Sequence, residues 1–296
     1  MKIVNWIQRG PSSLLLAFLL WGSSCTPEKI DFNSSDSANV ESETTSDTYF
    51  SDAEDMSNVT VSSDKATNGG RIAEGSWIIK PRDPRLECAT ITLVPANGST
   101  HSVPKGVLTI DFGAGCTDDH GTIRKGKIMI VYNGRRFLPG SSVVTTLDGY
   151  EINGIKVEGV RSVANSSNST QSDPRFTTTM TGGMITWPDG TTASRDESIT
   201  REWKLGAATI DSQWLVTGSA TGKNRHNQDY SMTITETLLY KKECAVFNKV
   251  FMAVKGIKEL VTADKKVTID YGNGTCDKLV TITINGKSKV VELGNN

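Results

Sequence analysis

Apolar and polar residues alternate along most of the chain after residue 76, and glycine, asparagine, aspartate or proline ends each alternating run. The runs are rich in valine, isoleucine and threonine, which favour extended backbone. Alternation with a period of two is typical of a strand that buries one face. The pattern predicts strands at residues 89–93, 106–110, 127–132, 142–146, 154–163, 176–180, 184–187, 200–204, 214–220, 230–235, 266–270 and 279–284.

Asn-Gly and Asp-Gly pairs separate several of these predicted strands. Such pairs favour type I′ hairpin turns, because both central residues need a positive φ. They occur at Asn133-Gly134, Asn153-Gly154, Asp189-Gly190 and Asn285-Gly286. No stretch shows a sustained helical period; residues 251–260 come nearest, and Gly256 argues against a helix there. We therefore expect an all-β fold, an antiparallel meander of hairpins that forms either a sandwich or strongly curved sheets.

One short motif occurs twice in the predicted β region. Its first copy is Thr-Ile-Asp-Phe-Gly-Ala-Gly-Cys at residues 109–116, and its second is Thr-Ile-Asp-Tyr-Gly-Asn-Gly-Thr-Cys at residues 268–276. The tripeptide Glu-Cys-Ala precedes each copy, at residues 87–89 and 243–245. The chain thus holds two related cysteine-containing units, near the start and the end of the β region.

Four cysteines lie in these two units, and they predict disulfides if the protein is exported. The duplication favours local bonds, Cys88 with Cys116 and Cys244 with Cys276. The alternative, Cys88 with Cys244 and Cys116 with Cys276, would tie the two units together. A zinc site is a weaker alternative, because the sequence has no Cys-x-x-Cys pair.

The first 24 residues have the pattern of an export signal. Lys2 and Arg9 are followed by an apolar run at residues 14–21, which is too short to span a bilayer as a helix. The small residues 22–24 before Cys25 resemble a bacterial lipobox, although Gly22 stands where a larger apolar residue is usual. We expect acylation of Cys25; the alternative is an ordinary cleaved signal. Each buried methylene of an acyl chain would contribute about 0.8 kcal/mol to membrane binding.

Residues 25–75 have a different composition from the rest of the chain. Serine, threonine and acidic residues dominate, and apolar residues are isolated. Because such a segment buries little apolar surface, we predict a disordered acidic tether behind the lipidated Cys25. The remainder, residues 76–296, is predicted to be the β domain, divisible into subdomains at about 76–165 and 172–296.

The formal net charge of −1 gives no reason to expect a nucleic-acid partner. No cofactor motif is recognised, because the Gly-x-Gly of each repeat lacks a third glycine and a following helix. Asp118, Asp119 and His120 form the best local candidate for a metal site. These residue types are also common in turns, and we expect no bound metal.

Two further sets of side chains have both a functional and a structural interpretation. Trp187 and Trp203 are candidates for stacking against sugar rings, but large aromatic residues also fill β cores. Asp111 and Asp270 are candidates for acid–base chemistry, but each precedes a glycine turn and is expected to face solvent. The structural interpretation is favoured for both sets.

Several segments together resemble a group of Bacteroidota lipoproteins of unknown function. They are the lipobox, the acidic segment and residues 109–118, 124–128, 152–159, 185–191 and 270–277. The similarity covers essentially Glu87 to Leu293. The resemblance implies a location in the cell envelope, and it implies no catalytic residues.

These observations predict a non-enzymatic, lipid-anchored envelope protein with a β domain for binding or scaffolding. The expected partners are the membrane, through the anchor, and a protein or glycan ligand. A carbohydrate-binding module is the first alternative, and an envelope hydrolase using Asp111 or Asp270 is the second. We expect the outer membrane as the location, on its periplasmic or its outer face; Glu28 and Asp31 favour the cell surface.

Overall fold

A computed structural model describes residues 49–50, 52–61, 75–79, 83–119, 121–166, 173–248, 250–263 and 265–292. The predicted signal segment, the lipidation site at Cys25 and the metal candidate His120 lie outside these residues. Among the described residues, neither helix has the length and apolar character needed to cross a bilayer.

Fifteen strands and two helices form the described structure. Helix α1 comprises residues 49–61, without a description of residue 51, and helix α2 is Lys242–Asn248. The strands are β1 Trp77–Ile79, β2 Thr90–Pro95, β3 Lys105–Asp111, β4 Cys116–Thr117, β5 Ile123–Asn133, β6 Ser142–Ile152, β7 Ile155–Asn165, β8 Arg175–Thr186, β9 Thr192–Lys204, β10 Gln213–Lys223, β11 Asp229–Lys241, β12 Lys255–Thr262, β13 Lys266–Asn273, β14 Leu279–Ile284 and β15 Lys287–Glu292.

All described strands belong to one antiparallel sheet. Each strand pairs with the next in the chain, except that β4 pairs only with β5, which lies beside β3. The predicted all-β meander of hairpins is confirmed. The sheet continues from β7 to β8, across the division predicted between residues 165 and 172. Because these strands share one sheet, they do not form a sandwich of two separate sheets.

The sheet curves around α1. In a flat sheet, β2 and β7 would be four strand spacings apart, about 19 Å. Yet Arg85, which lies just before β2, and Arg161 on β7 contact the adjacent helix residues Asp55 and Glu54. The curved-sheet alternative therefore describes this part of the molecule.

Two of the four predicted turns have the expected type I′ signature. Asn153 and Gly154 both have positive φ, as do Asn285 and Gly286. At the other two pairs only Gly134 and Gly190 have positive φ, so those connections use other turns. At Asn133-Gly134 the reason is the length of the β5–β6 connection, residues 134–141, which is longer than a two-residue hairpin turn.

The prediction of disorder throughout residues 25–75 is wrong for α1. Phe50, Ala53, Met56 and Thr60 recur at helical spacing and are buried against the sheet. The period is difficult to recognise because alanine and threonine occupy two of these four positions. Residues 26–48 and 62–74 of the predicted tether lie outside the described residues.

The repeated Glu-Cys-Ala tripeptide adopts two different structures. In the first copy it follows a short 3₁₀ turn, Pro84–Leu86, whereas in the second it lies in helix α2. Residues 255–260 of the stretch nearest to a helical period lie in β12 instead. Gly256 is required there, because a Cβ would lie 2.4 Å from the carbonyl oxygen of Thr237.

The local cysteine pairing is confirmed. Cys88 bonds to Cys116 and Cys244 bonds to Cys276, with sequence separations of 28 and 32 residues. The alternative pairing between the two units is therefore wrong, and each disulfide closes its own copy of the repeat.

Removing either disulfide is expected to destabilise the protein. Closing loops of this length contributes roughly 3–4 kcal/mol to the free energy of unfolding in the chain-entropy treatment. The double variants Cys88→Ser/Cys116→Ser and Cys244→Ser/Cys276→Ser should each unfold at lower urea concentration, as followed by tryptophan fluorescence. Cys25→Ser serves as the control and should leave the midpoint unchanged. Equal midpoints for all three variants would contradict this expectation.

Candidate functional site

The face of β2, β3 and β5–β9 that packs on α1, here called the helix face, has an apolar centre. Alternate residues of successive strands point to this side, as the period of two requires. Fully buried members are Leu108, Ile110, Ile128, Ile130, Val157 and Ile185. They join Phe50, Ala53 and Met56 of α1 in one hydrophobic cluster. The apolar centre therefore fits the apolar side of an amphipathic helix.

Three arginines connect the edges of the helix face to acidic residues of α1. The pairs are Arg85 with Asp55 at 2.7 Å, Arg124 with Asp52 at 2.9 Å, and Arg161 with Glu54 at 2.8 Å. Asp55 is half exposed, whereas Asp52 and Glu54 are largely shielded from solvent. Shielding makes the last two pairs stronger and less sensitive to salt than pairs at a fully exposed surface.

Each of these arginines also has a carboxylate partner outside α1. Arg85 donates to Asp83 at 2.6 Å, Arg124 to Asp118 at 2.6 Å, and Arg161 to Glu197 at 2.7 Å. The pKa of Asp83 is lowered, first because Arg85 hydrogen-bonds to its carboxylate. Carboxylates outside α1 thus orient all three arginines independently of the helix.

Arg124 forms the most buried of these pairs. Its side chain is 5% exposed and that of Asp118 is 2% exposed. Burial alone lowers the pKa of Arg124, but hydrogen bonds to Asp52 and Asp118 raise it above its usual range. The hydroxyl of Tyr150 donates to Asp52 at 3.1 Å, and the pKa of Tyr150 is raised, mainly by burial. Near neutral pH, Arg124 therefore stays charged and the hydroxyl of Tyr150 stays protonated.

A second buried pair supports Arg161. Glu197 accepts hydrogen bonds from Arg161 and from Arg195, the latter at 2.9 Å. The side chains of Arg195 and Glu197 are 3% and 5% exposed. Glu54 of α1 therefore meets an arginine that belongs to a charged network within the sheet.

A hydroxyl pair lies under the middle of α1. The Ser57 and Thr145 side-chain oxygens are 3.1 Å apart, and both residues are buried. Ser57 also donates to the carbonyl of Ala53 within the helix. Polar groups at this contact are therefore hydrogen-bonded, as buried hydroxyls require.

Of the three metal candidates, the structure describes Asp118 and Asp119, which lie in different environments. The carboxylate of Asp118 accepts hydrogen bonds from Arg124 and from the backbone N–H of Thr122 at 2.8 Å, and Asp119 is exposed. Elsewhere in the described structure, Glu243 lies near Cys244 and Cys276, but these two cysteines are bonded to each other. The geometry therefore gives Asp118 a structural role.

Asp111 and Asp270 share one local hydrogen bond. Each Oδ1 accepts a hydrogen bond from the N–H two residues later, Gly113 or Gly272, at 2.8 Å. The pKa of Asp111 is lowered by this hydrogen bond and by Lys127, 3.1 Å away. The repeated aspartate thus fixes the backbone of the glycine two residues later, at the end of β3 in the first copy and within β13 in the second.

Trp187 lies in the β8–β9 connection and contacts the β10–β11 connection. Its ring is covered on one side by the guanidinium of Arg225, 4.5 Å from the ring centroid, and the residue is 9% exposed. Arg225 is held by Asp189 at 2.6 Å and by Thr191 at 2.7 Å. Little of this ring is available for a sugar.

Trp203 lies in a row of aromatic rings across three strands. Its centroid is 6.1 Å from that of Trp214, which lies 5.8 Å from Tyr240, and both pairs are stacked. Phe137 makes an edge contact with Trp203 at 5.9 Å. The Trp203 Nε1 and Arg136 Nε are buried and have no hydrogen-bond partner among the described residues. The ring of Trp203 is half-buried, because Trp214 and Phe137 cover part of it.

Sequence reasoning did not identify Asp52, Glu54, Arg124, Arg161 and Glu197 as site residues. The helical spacing of Phe50, Ala53 and Met56 was the available signal for α1. No local pattern marks the arginines, because their partners on α1 are 72 and 107 residues away in the sequence.

The chain matches no protein-family model, no curated protein and no solved structure. What the geometry defines is a curved antiparallel sheet whose inner surface, with an apolar centre and arginines at its edges, holds an acidic amphipathic helix.

Loss of the Arg124 guanidinium is expected to be strongly destabilising. Arg124→Met leaves the carboxylate of Asp118 buried without the guanidinium that neutralises it, which costs about 3–5 kcal/mol. Lys156→Met is the matched control, because it removes an exposed pair with Glu158 and should change stability by less than about 1 kcal/mol. Urea unfolding monitored by circular dichroism measures both. Similar losses for the two variants would show that Arg124 has no special role.

Proposed function

We propose that this chain is a lipid-anchored protein of the bacterial cell envelope whose β domain binds or scaffolds another molecule. The observation that carries the binding part is the helix face, whose arginines are already oriented by Asp83, Asp118 and Glu197. Preorganised charged groups around an apolar centre reduce the cost of ordering on binding. Such a surface is suited to recognition.

The protonation behaviour of the site favours binding over acid–base catalysis. A general acid or base works best with a pKa near the operating pH. The pKa values of Arg124 and Tyr150, ordinarily above neutrality, are both raised further. These two groups are therefore better suited to holding a partner by charge and hydrogen bonding than to transferring a proton.

The anchor part of the proposal rests on the sequence. Lys2, Arg9 and the apolar run before Cys25 support export, and the small residues preceding Cys25 support acylation. The two disulfides are consistent with an oxidising compartment. We place the protein at the outer membrane, on either face, with the membrane and a protein ligand as partners.

Expression of the full chain in a bacterial host tests the anchor. Wild-type protein should fractionate with membranes and carry acyl chains on Cys25, as measured by mass spectrometry of the N-terminal peptide. Cys25→Ala is the control and should shift the protein to the soluble fraction. Unmodified Cys25 in soluble wild-type protein would contradict the anchor.

The carbohydrate-binding alternative has one observation in its favour: the Nε1 of Trp203 has no hydrogen-bond partner within the part of the chain that the structure describes. Against it, Trp203 is stacked with Trp214, and Trp187 is covered by Arg225. Retention on immobilised envelope glycans that is lost in Trp203→Phe, while the fold is kept, would favour this alternative over the helix face.

The hydrolase alternative is tested with Asp111→Asn and Asp270→Asn. Our proposal expects no hydrolysis of envelope glycans or peptides that depends on either carboxylate. Activity of the purified protein that both substitutions abolish would overturn the non-enzymatic assignment.

A further inference from the structure

We propose that the helix face is an exchangeable docking site for an acidic amphipathic helix of a partner protein, and that α1 is its intramolecular occupant. This inference rests on the proposed binding function and names the ligand class. Binding of an amphipathic helix along an apolar surface is a common mode of peptide recognition.

The first argument is charge complementarity. Asp52, Glu54 and Asp55 are three acidic residues within a single turn of helix. They pair with three arginines from separate parts of the fold: Arg85 before β2, Arg124 on β5 and Arg161 on β7. A helix with acidic residues at the same relative positions would find the same three guanidinium groups.

The second argument is that the face keeps its partners when α1 leaves. Asp118 remains paired with Arg124, and Glu197 remains paired with Arg161 and Arg195. The carboxylates that orient the arginines belong to the sheet and its loops, not to α1. Release of the helix therefore leaves no arginine of this group without a carboxylate.

The third argument is a position shaped for an aromatic side chain. Gly183 lies under Phe50, and a Cβ at Gly183 would be 3.0 Å from Cζ of the ring and 2.5 Å from the carbonyl oxygen of Arg195 on the paired strand. The glycine therefore serves the pairing of β8 with β9 and also leaves room for the ring. An aromatic residue two positions before the first acidic residue is therefore part of the recognised pattern.

The fourth argument is that α1 is a modest ligand for this face. Ala53, Ser57 and Thr60 occupy buried positions and contribute little apolar surface to the contact. A helix of this length is also marginally stable alone. A partner helix that carries the same pattern and is more stable by itself would compete with α1.

The test uses the full chain and a fluorescent peptide of residues 49–61. Three proteins are compared by fluorescence anisotropy: wild type, Phe50→Ala/Met56→Ala with a weakened α1, and Ser57→Cys/Thr145→Cys. The last variant should lock α1 by a disulfide, because the two hydroxyl oxygens are 3.1 Å apart. The control peptide carries Asp52→Asn, Glu54→Gln and Asp55→Asn.

The weakened variant should bind the acidic peptide at least tenfold more tightly than wild type. The locked variant should not bind it, and the control peptide should bind at least tenfold more weakly. Equal binding to locked and weakened variants, or no binding to a weakened variant with native near-ultraviolet circular dichroism, overturns the proposal. α1 could also exchange between two copies of the chain, which would appear as dimers in size exclusion. Such dimers without any peptide binding would overturn the proposal as well.

A second measurement applies if the weakened variant does not fold. A Ser57→Cys peptide is incubated with full-length Thr145→Cys in a mild redox buffer, and the disulfide adduct is measured by mass spectrometry. Thr146→Cys is the matched control, because the neighbouring residue points to the other face of β6. An adduct with Thr145→Cys alone supports docking; equal adducts, or none, overturn it.

The two proposals fail in distinguishable ways. If the peptide does not bind but Cys25 is acylated, the chain is an anchored protein whose ligand site lies elsewhere. If the peptide binds but Cys25 is unmodified, the helix face is a docking site on a protein without the proposed anchor.

Discussion

The buried contact of Arg124 with two carboxylates is the constraint on which the position of α1 depends. Moving charges out of water costs several kcal/mol per ion, and close, well-oriented hydrogen bonds must offset it. Arg124 reaches Asp118 at 2.6 Å and Asp52 at 2.9 Å. Asp118 is fixed by the N–H of Thr122, and Cys116 is paired in register with Arg124. The first disulfide therefore supports the loop that holds this arginine.

The two copies of the repeated unit share one local hydrogen bond and differ in what they position. In both, the aspartate before Gly-x-Gly accepts a hydrogen bond from the N–H two residues later. Only in the first copy does β4 follow and bring Asp118 to Arg124. In the second copy, Asp277 instead accepts from the N–H of Leu279. The duplicated motif thus lies at the end of β3 in the first copy and within β13 in the second, and only the first copy contributes a contact to the arginine that pairs with α1.

The sheet could be predicted from the sequence because its information is local. Alternation in stretches such as residues 127–132 determines which side of a strand is buried, and Asn-Gly pairs determine two of the hairpins. The repeat similarly predicted both disulfides. The curvature could not be predicted in this way. The curved sheet packs around α1 with residues from several strands at once, and no single strand reveals that packing.

The acidic residues of α1 show why the candidate site was missed. Composition alone treats Asp52, Glu54 and Asp55 as charges that keep a segment in solvent. The same charges stabilise a docked helix when guanidinium groups are held within hydrogen-bond distance. Arg124 and Arg161 are far away in sequence, and they are held there only because the sheet pairs β5 with β6 and β6 with β7. Tertiary charge pairing therefore helps to place residues 49–61 in the β domain, although they lie in the segment whose composition predicts a tether.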